Sequence, residues 1–257
     1  MVDSTQRVAL VTGATSGMGL EIARSLAQDG HRVFICARSA DVVAATVKEL
    51  QGEGLDVDGQ ACDVVSVTDV DSLVRACVDR FGTIDILVNN AGRPGGGATA
   101  EIDDDLWHEV INTNLNSVFY TTKAVLKGSP SLKSVINIAS TGGKQGVVHA
   151  APYSASKHGV VGFSKALGLE LAKTGITVNA VCPGFVETPM AERVREHYGQ
   201  IWGVDEAEAH ARITTRVPIG RYVESHEVAA MVRYLVSDGA DAVTAQALNV
   251  CGGLGNY

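Results

Sequence analysis

Tyr153 and Lys157 stand four residues apart in Tyr153-Ser154-Ala155-Ser156-Lys157, a spacing that sets both side chains on one face of a helix. The helical pattern they open follows the β-branched run Ser134-Val135-Ile136-Asn137-Ile138, which ends in Ala139-Ser140. Ser140 is therefore expected at the carboxyl edge of a strand, the side on which parallel sheets bind ligands. A phenol, an ammonium and a hydroxyl gathered at one point suit the reduction of a ketone, where hydride reaches the carbon and a proton must reach the oxygen. A phenol of ordinary pKa near 10 donates more readily when that pKa falls, by about 1.4 kcal/mol per unit, and a neighbouring ammonium lowers it. Ser140 would give the growing alkoxide a second hydrogen bond. The plain alternatives are a turn cap for Ser140 and a solvated helix charge for Lys157. Asn114, in Asn112-Thr113-Asn114-Leu115, reads either as an amide that bends its helix and holds a water near Lys157 or as a packing amide. Spacing alone does not choose.

A second constellation points to a nucleotide. Thr12-Gly13-Ala14-Thr15-Ser16-Gly17-Met18-Gly19 follows the first strand-like run and opens a helix. Glycines let the backbone turn sharply against a pyrophosphate, and a helix N-terminus offers free N–H groups. A purely structural turn is the bland reading, and the position on the first strand of an α/β pattern favours the cofactor. The second strand ends Cys36-Ala37-Arg38-Ser39 with no acid. A carboxylate there would take the ribose 2′-OH, whereas a guanidinium grips a 2′-phosphate, so Arg38 favours NADP(H) and its oxidised nicotinamide would also favour phenolate at Tyr153. Cys62-Asp63-Val64, Asn89-Asn90-Ala91-Gly92 and Pro183-Gly184 close later strands on the same edge.

Positioning these groups requires a particular scaffold. Strand-like runs at Val8–Thr12, Arg32–Cys36, Asp56–Cys62, Ile84–Val88, Ser134–Ile138, Ile176–Val181 and Ala247–Val250 alternate with helical patterns at Gly19–Gln28, Val42–Gly52, Thr68–Phe81, Leu106–Leu126, Tyr153–Lys173 and Glu224–Val236. The apolar runs lack polar alternation, as strands covered on both faces do. The expectation is an α/β fold, a Rossmann-type doubly wound seven-stranded parallel sheet with helices on both faces. Residues 1–257 read as one NADP-binding reductase domain, without linker or repeat. The charged helical stretch Met190–Arg216 interrupts the rhythm, which makes 185–217 either a substrate lid insertion or an ordinary surface helix.

Composition narrows the class. Twenty-nine acids against 21 Lys and Arg give net charge −8, which argues against a nucleic-acid partner. No apolar run approaches the roughly 20 residues that span a bilayer, and the polar Met1–Gln6 resembles no signal or transit peptide. The five scattered cysteines lack metal spacing and fit a reduced compartment. The expectations are a cytoplasmic protein, no metal and no membrane partner.

Thr12-Gly13-x3-Gly17-x-Gly19, Asn89-Asn90-Ala91-Gly92, Asn114, Ser140, Tyr153/Lys157 and Pro183-Gly184, in that order over nearly the whole chain, resemble the short-chain dehydrogenase/reductases. The resemblance implies a catalytic set of Asn114, Ser140, Tyr153 and Lys157 with Tyr153 as general acid. It also implies NADPH/NADP contacts from Thr12, Gly13, Thr15, Ser16, Gly17, Met18, Gly19, Arg38, Asp63, Val64, Asn90, Ala91, Gly92, Tyr153, Lys157, Pro183, Gly184, Val186 and Thr188.

A narrower likeness runs through Arg93-Pro94-Gly95-Gly96-Gly97-Ala98-Thr99, the stretch Ala139 to Tyr153 and the tail Thr244 to Tyr257, which look like the ketoreductases of bacterial type II aromatic polyketide synthases. It implies a homotetramer that reduces one carbonyl (C9) of an acyl-carrier-protein-bound poly-β-ketone to a secondary alcohol with NADPH, alongside first-ring cyclisation. Pro94, Gly95 and Gly96 would bear on the face reduced, and Thr141, Gln145, Val147, Phe185, Met190, Val194 and Tyr198 would line the cleft, with core packing the bland reading for Val147, Phe185 and Val194. Two positions depart from the pattern. Of a basic patch for the carrier, Arg38 and Arg93 are kept, while the third position is Val65, leaving Arg93 and lid arginines to supply charge. The connection Gly128–Leu132 is also short. The competing readings are a fatty-acid-type 3-oxoacyl-[acyl-carrier-protein] reductase and a non-catalytic NADP sensor, the latter disfavoured by the intact Ser140, Tyr153 and Lys157.

Overall fold

The β-branched runs lie side by side as parallel strands in a computed structural model that describes residues 6–255; Met1–Thr5 of the polar lead-in and Asn256–Tyr257 of the tail lie outside the described residues. The strands are β1 (Val8–Thr12), β2 (Arg32–Ala37), β3 (Val57–Ala61), β4 (Ile86–Asn89), β5 (Ser134–Ile138), β6 (Thr177–Pro183) and β7 (Ala247–Val250). Their order, β3-β2-β1-β4-β5-β6-β7, reverses direction between β1 and β4. That switch point opens a crevice at the carboxyl edge, where such sheets bind ligands. The fold is the doubly wound seven-stranded parallel sheet that the sequence predicts.

Successive side chains of a strand point to opposite faces, and here both faces are covered. Ala9, Val11, Val33, Ile35, Ile86 and Val88 pack in one cluster with residues of α1 (Gly17–Gln28), α2 (Ala40–Gly52) and α9 (Ser225–Leu235). Val8, Leu10, Phe34, Leu87 and Val135 pack in another with α3 (Val67–Phe81), α5 (Ser117–Gly128) and α6 (Ala151–Leu171). β1, β4, β5 and β6 are buried along their full length, which is why their sequences carry no alternation. None of the described helices is long and apolar enough to cross a membrane.

Two predicted helices differ from the observed ones. Leu106–Leu126 is not continuous: α4 (Asp104–Ile111) passes through a π-helical turn at Asn112–Asn116 into α5. Met190–Arg216 is two helices, α7 (Pro189–Trp202) and α8 (Glu206–Thr214). Gly203, at φ +64°, ends the first, and the Asp205 carboxylate caps the second by accepting from Glu208 N–H at 2.8 Å. The short Gly128–Leu132 connection is stitched at the opposite edge of the sheet, where Ser129 Oγ accepts from Ile84 N at 2.8 Å and donates to Ile84 O at 3.0 Å.

Candidate active site

The glycine-rich turn after β1 is held by its neighbour strand. Thr12 Oγ1 accepts from the N–H groups of Asn90 and Ala91, both at 3.1 Å, and Asn90 Nδ2 donates back to Thr12 O at 3.0 Å and Gly13 O at 2.9 Å. Thr12 and Asn90 thus spend these polar atoms on joining the two loops. A Cβ on Gly13 (φ +64°) would sit 2.8 Å from Ala91 Cα, and one on Gly19 would sit 2.3 Å from Gly13 O. Only glycine lets the loops close this tightly. Ser16 caps nothing with its side chain, which leaves the first N–H groups of α1 to an external anion. Thr15 and Met18 are half-buried on the turn, and Thr188 leans on it, its Cγ2 3.2 Å from where a Gly17 Cβ would be.

At the end of β2, Arg38 is exposed and makes no hydrogen bond or ion pair among the described residues. Asp63 follows β3, its carboxylate accepting from Val65 N at 3.3 Å, and Val64 is buried beside it. Gly92 passes Asn114 and Lys157 closely, and Gly184 passes Cys251. Val186 is buried and bridges to Val223. A dinucleotide bearing a 2′-phosphate fits this edge: an uncapped helix start, a cradle that any Cβ would fill, and an unpaired guanidinium where the extra phosphate would lie.

Ser140, Tyr153 and Lys157 come together at the end of β5. Ser140 is extended and its Oγ accepts from Gly142 N at 3.0 Å, so the turn-cap role is present. The same hydroxyl lies close enough to Tyr153 to pull the phenol's pKa down. Gly142 lies between them, with a Cβ there only 3.3 Å from Tyr153 Cε1. Lys157 is 5 % exposed, donates from Nζ to Ile138 O at 2.7 Å, and sits 5.8 Å from the centre of the Tyr153 ring. It is no solvated helix charge. The expected acidic phenol is not found in the protein alone: burial pushes Tyr153 above its usual 10, against the pull of the Ser140 hydroxyl, and burial lowers Lys157 from 10.5 to about 8. Desolvation disfavours the charged form of each group and is the largest cause of both shifts.

Asn114, 1 % exposed, lies in the π-helical turn. Its Oδ1 accepts from Arg93 N at 2.8 Å, while Nδ2 donates to Arg93 O at 3.0 Å and Ser156 Oγ at 3.1 Å. Ser156 Oγ in turn donates to Tyr153 O at 2.7 Å. Both ends of the amide clasp protein, binding the Arg93 loop to the helix that carries Tyr153. Behind it, Asn89 Nδ2 donates to Asn137 Oδ1 at 2.8 Å and Asn137 Nδ2 to Ser164 Oγ at 2.8 Å.

In front of Ser140 and Tyr153 opens a cavity of about 910 Å³. Pro94, Gly95, Gly96, Thr141, Gln145, Val147, Phe185, Met190, Val194 and Tyr198 all line it, so Val147, Phe185 and Val194 are more than core filling. Within the Pro94–Gly96 segment, positions 95 and 96 fit only as glycine: a Cβ on Gly95 would lie 2.3 Å from Val110 Cγ2, and one on Gly96 2.0 Å from His149 O. Sequence reasoning passed over several lining residues, namely Leu106, His149, His197, Ile201, Trp202, Arg216 and Leu254. Helical spacing from Met190 and Val194 reaches His197 and Ile201, a usable signal; Arg216 and Leu254 arrive from distant chain and give none. Tyr198 stacks on Trp202 with centroids 4.7 Å apart, and the Arg216 guanidinium lies near enough to favour its phenolate. At the mouth, Arg93 pairs with Glu109 and Val65 is exposed.

α7 and α8 share a small core of Ala191, Tyr198, Ile213 and Tyr222. The buried Arg195 ties them to their stem, donating to Glu187 Oε1 at 2.7 Å and Glu206 Oε1 at 3.0 Å.

Comparison with known proteins follows the same lines. Residues 7–199 match the family model described as short chain dehydrogenase. The chain is 71% identical over 254 residues, 97% of it and 93% of the relative, to granaticin polyketide synthase putative ketoacyl reductase 1 of Streptomyces violaceoruber. It is 66% identical to a putative ketoacyl reductase of Streptomyces coelicolor over the whole of both chains. A solved structure of a single-substitution variant of the actinorhodin polyketide ketoreductase with NADPH superposes over all of both chains at TM-score 0.96 and 66% identity.

Proposed function

The chain belongs to the short chain dehydrogenase family, and from that footing we propose that it is an NADPH-dependent ketoreductase of type II aromatic polyketide biosynthesis. Its substrate is an acyl-carrier-protein-bound poly-β-ketone, of which one carbonyl, C9, becomes a secondary alcohol. One observation carries the reading: an enclosed Tyr153–Ser140 pair, backed by Lys157, at the wall of a cavity of about 910 Å³. That volume lies at the upper end of small-molecule sites and suits a folded, partly cyclised chain better than a short linear acyl thioester.

When bound, NADPH supplies the hydride. The chain's own residues do the rest. The turn at Gly13–Gly19 and the start of α1 would hold the cofactor's pyrophosphate, Arg38 its 2′-phosphate, Asp63 and Val64 its adenine end, and Asn90–Gly92 with Pro183, Gly184, Val186 and Thr188 its nicotinamide end. Tyr153 donates its proton to the ketone oxygen as that oxygen gains charge, and Ser140 donates a hydrogen bond to the same atom. Lys157, anchored on Ile138 O, faces the phenolate that results and favours it. Asn114 keeps the Arg93 loop and the Tyr153 helix in register.

Residues 185–217, with α7 and α8, act as the substrate lid. Arg193 and Arg216 of the lid provide positive charge toward an acidic carrier protein, with Arg93 at the mouth paired to Glu109, and the enzyme works as a homotetramer. Tyr153→Phe tests the chemistry: NADPH binding should stay near normal, and reduction of a bicyclic ketone should vanish. Undiminished reduction overturns the assignment of Tyr153. Strong preference for a short acetoacetyl thioester over bicyclic ketones would favour the fatty-acid-type reductase instead.

A further inference from the structure

The turn that presents Ser140 is pressed between two supports. On one side Gly143 abuts α6, where a Cβ would lie 2.5 Å from Lys157 O. On the other side Lys144, next in the chain, reaches across to the edge strand: Nζ donates to Ala247 O at 3.1 Å and to Asn249 Oδ1 at 3.0 Å. Among the described residues β7 pairs only with β6, so this ammonium meets a carbonyl on the sheet's last strand. Asn249 carries the connection onward, since its Nδ2 donates to Gly255 O at 2.8 Å, and Gly255 N donates to Cys251 Sγ at 3.3 Å. The tail segment held in this way places Leu254 in the cavity wall.

We infer that Lys144 is a positioning residue for the reduction: together with Asn249 it forms a bracket that fixes the Ser140–Gln145 turn against β7 and the tail, and so sets where the Ser140 hydroxyl stands relative to Tyr153. The inference rests on the reductase reading above. Physically, the turn's own hydrogen bonds (Ser140 Oγ with Gly142 N, Gly143 N with Ser140 O) fix its shape but not its place in the molecule. Gly143 stops it from moving toward α6, Ala139 N ties its start to Val181 O of β6 at 2.7 Å, and the Lys144 span holds its far end against β7. A charge-assisted hydrogen bond holds such a span more firmly than a neutral one. Small misplacements matter here, because about 1 Å at the reacting centre can cost roughly a hundredfold in rate.

The test compares Lys144→Met, Lys144→Arg, Asn249→Leu and the double variant Lys144→Met/Asn249→Leu in the full-length enzyme, with saturating NADPH and a bicyclic ketone. Lys144→Met is expected to lower kcat about tenfold to a hundredfold, with the KM for NADPH unchanged and ketone KM shifted far less than kcat. Lys144→Arg, which keeps the positive charge and can donate to the same two acceptors, should recover a clear part of the kcat that Lys144→Met loses. The double variant should be no slower than Lys144→Met, since both substitutions break one unit. A folded Lys144→Met with wild-type kcat, or a double variant in which the two losses multiply, overturns the inference. If Lys144→Met fails to fold, Asn249→Leu and Lys144→Arg decide: wild-type kcat in Asn249→Leu refutes the bracket. Tyr153→Phe in the same assay separates the two ideas. A dead Tyr153→Phe beside an unimpaired Lys144→Met sinks the bracket alone, whereas an active Tyr153→Phe sinks the reductase mechanism.

Discussion

Replacing Lys157 with methionine should change how the enzyme's stability depends on pH, in a direction and by an amount that follow from burial. The ammonium is driven from 10.5 to about 8 by desolvation. At about 1.4 kcal/mol per unit, the native state carries a cost of roughly 3 kcal/mol wherever the group is charged in both states, that is, below pH 8. Between about 8 and 10.5 the unfolded chain still holds a proton that the native protein has released, so stability rises with pH and the cost fades. Methionine keeps most of the packing and has no proton to lose. It also leaves Ile138 O without its donor, a loss of about 1–3 kcal/mol that does not depend on pH. The difference in unfolding free energy between the two proteins therefore drifts: wild type should gain on Lys157→Met by about 2 kcal/mol between pH 7.5 and 9.5. Tyr153, pushed above 10 in the native state, is present in both proteins and drops out of the difference. Urea unfolding followed by the fluorescence of Trp107 and Trp202 reads the difference. A flat difference over the range refutes the buried, destabilised ammonium.

Arg38→Asp should raise the KM for NADPH by about tenfold to a hundredfold, the range for a lost charge-assisted hydrogen bond, and leave the KM for NADH unchanged or lower; steady-state kinetics with each cofactor checks it. Gly96→Ala puts a methyl 2.0 Å from His149 O, so the Pro94–Gly96 segment must shift. Stability should fall by about 1–3 kcal/mol, with a higher KM for a bulky ketone and an unchanged KM for NADPH; thermal melts and the two KM values are the readouts.

The sheet was legible because its central strands β1, β4, β5 and β6 are covered on both faces, and β1, β5 and β7 begin and end where their residues predict. The gathering of Ser140, Tyr153 and Lys157 was legible for a related reason, since topology alone sends the ends of β4, β5 and β6 to one edge. What periodicity hides is interruption. Asn112–Asn116 keeps a helical pattern while its backbone widens; Asn114 pointed to a bend there, but no letter gives the extra residue in the turn. The break in Met190–Arg216 was written in Gly203-Val204-Asp205, a left-handed stop followed by a helix cap, but the apolar spacing runs across it. The protonation of the site was the least readable part: four residues between Tyr153 and Lys157 give proximity, whereas the direction of both pKa shifts depends on how much water is excluded.

The widened turn at Asn112–Asn116 settles a conflict between two clients of one rod. Upstream, Asn114 must address the Arg93 loop and Ser156; downstream, Thr121 and Thr122 must reach Asn89, and Val125 must enter the core. A regular helix advances about 100° per residue, so a single extra residue re-phases everything beyond it by that angle. Ser117 Oγ, donating to Thr113 O at 2.6 Å, mends one carbonyl the widening exposes. Trimming one residue from this segment would make a tidier cylinder, yet it would swing the threonines away from the asparagine they serve. The irregularity works as a rotary coupling, letting the crevice and the interior be indexed independently along a continuous piece of chain.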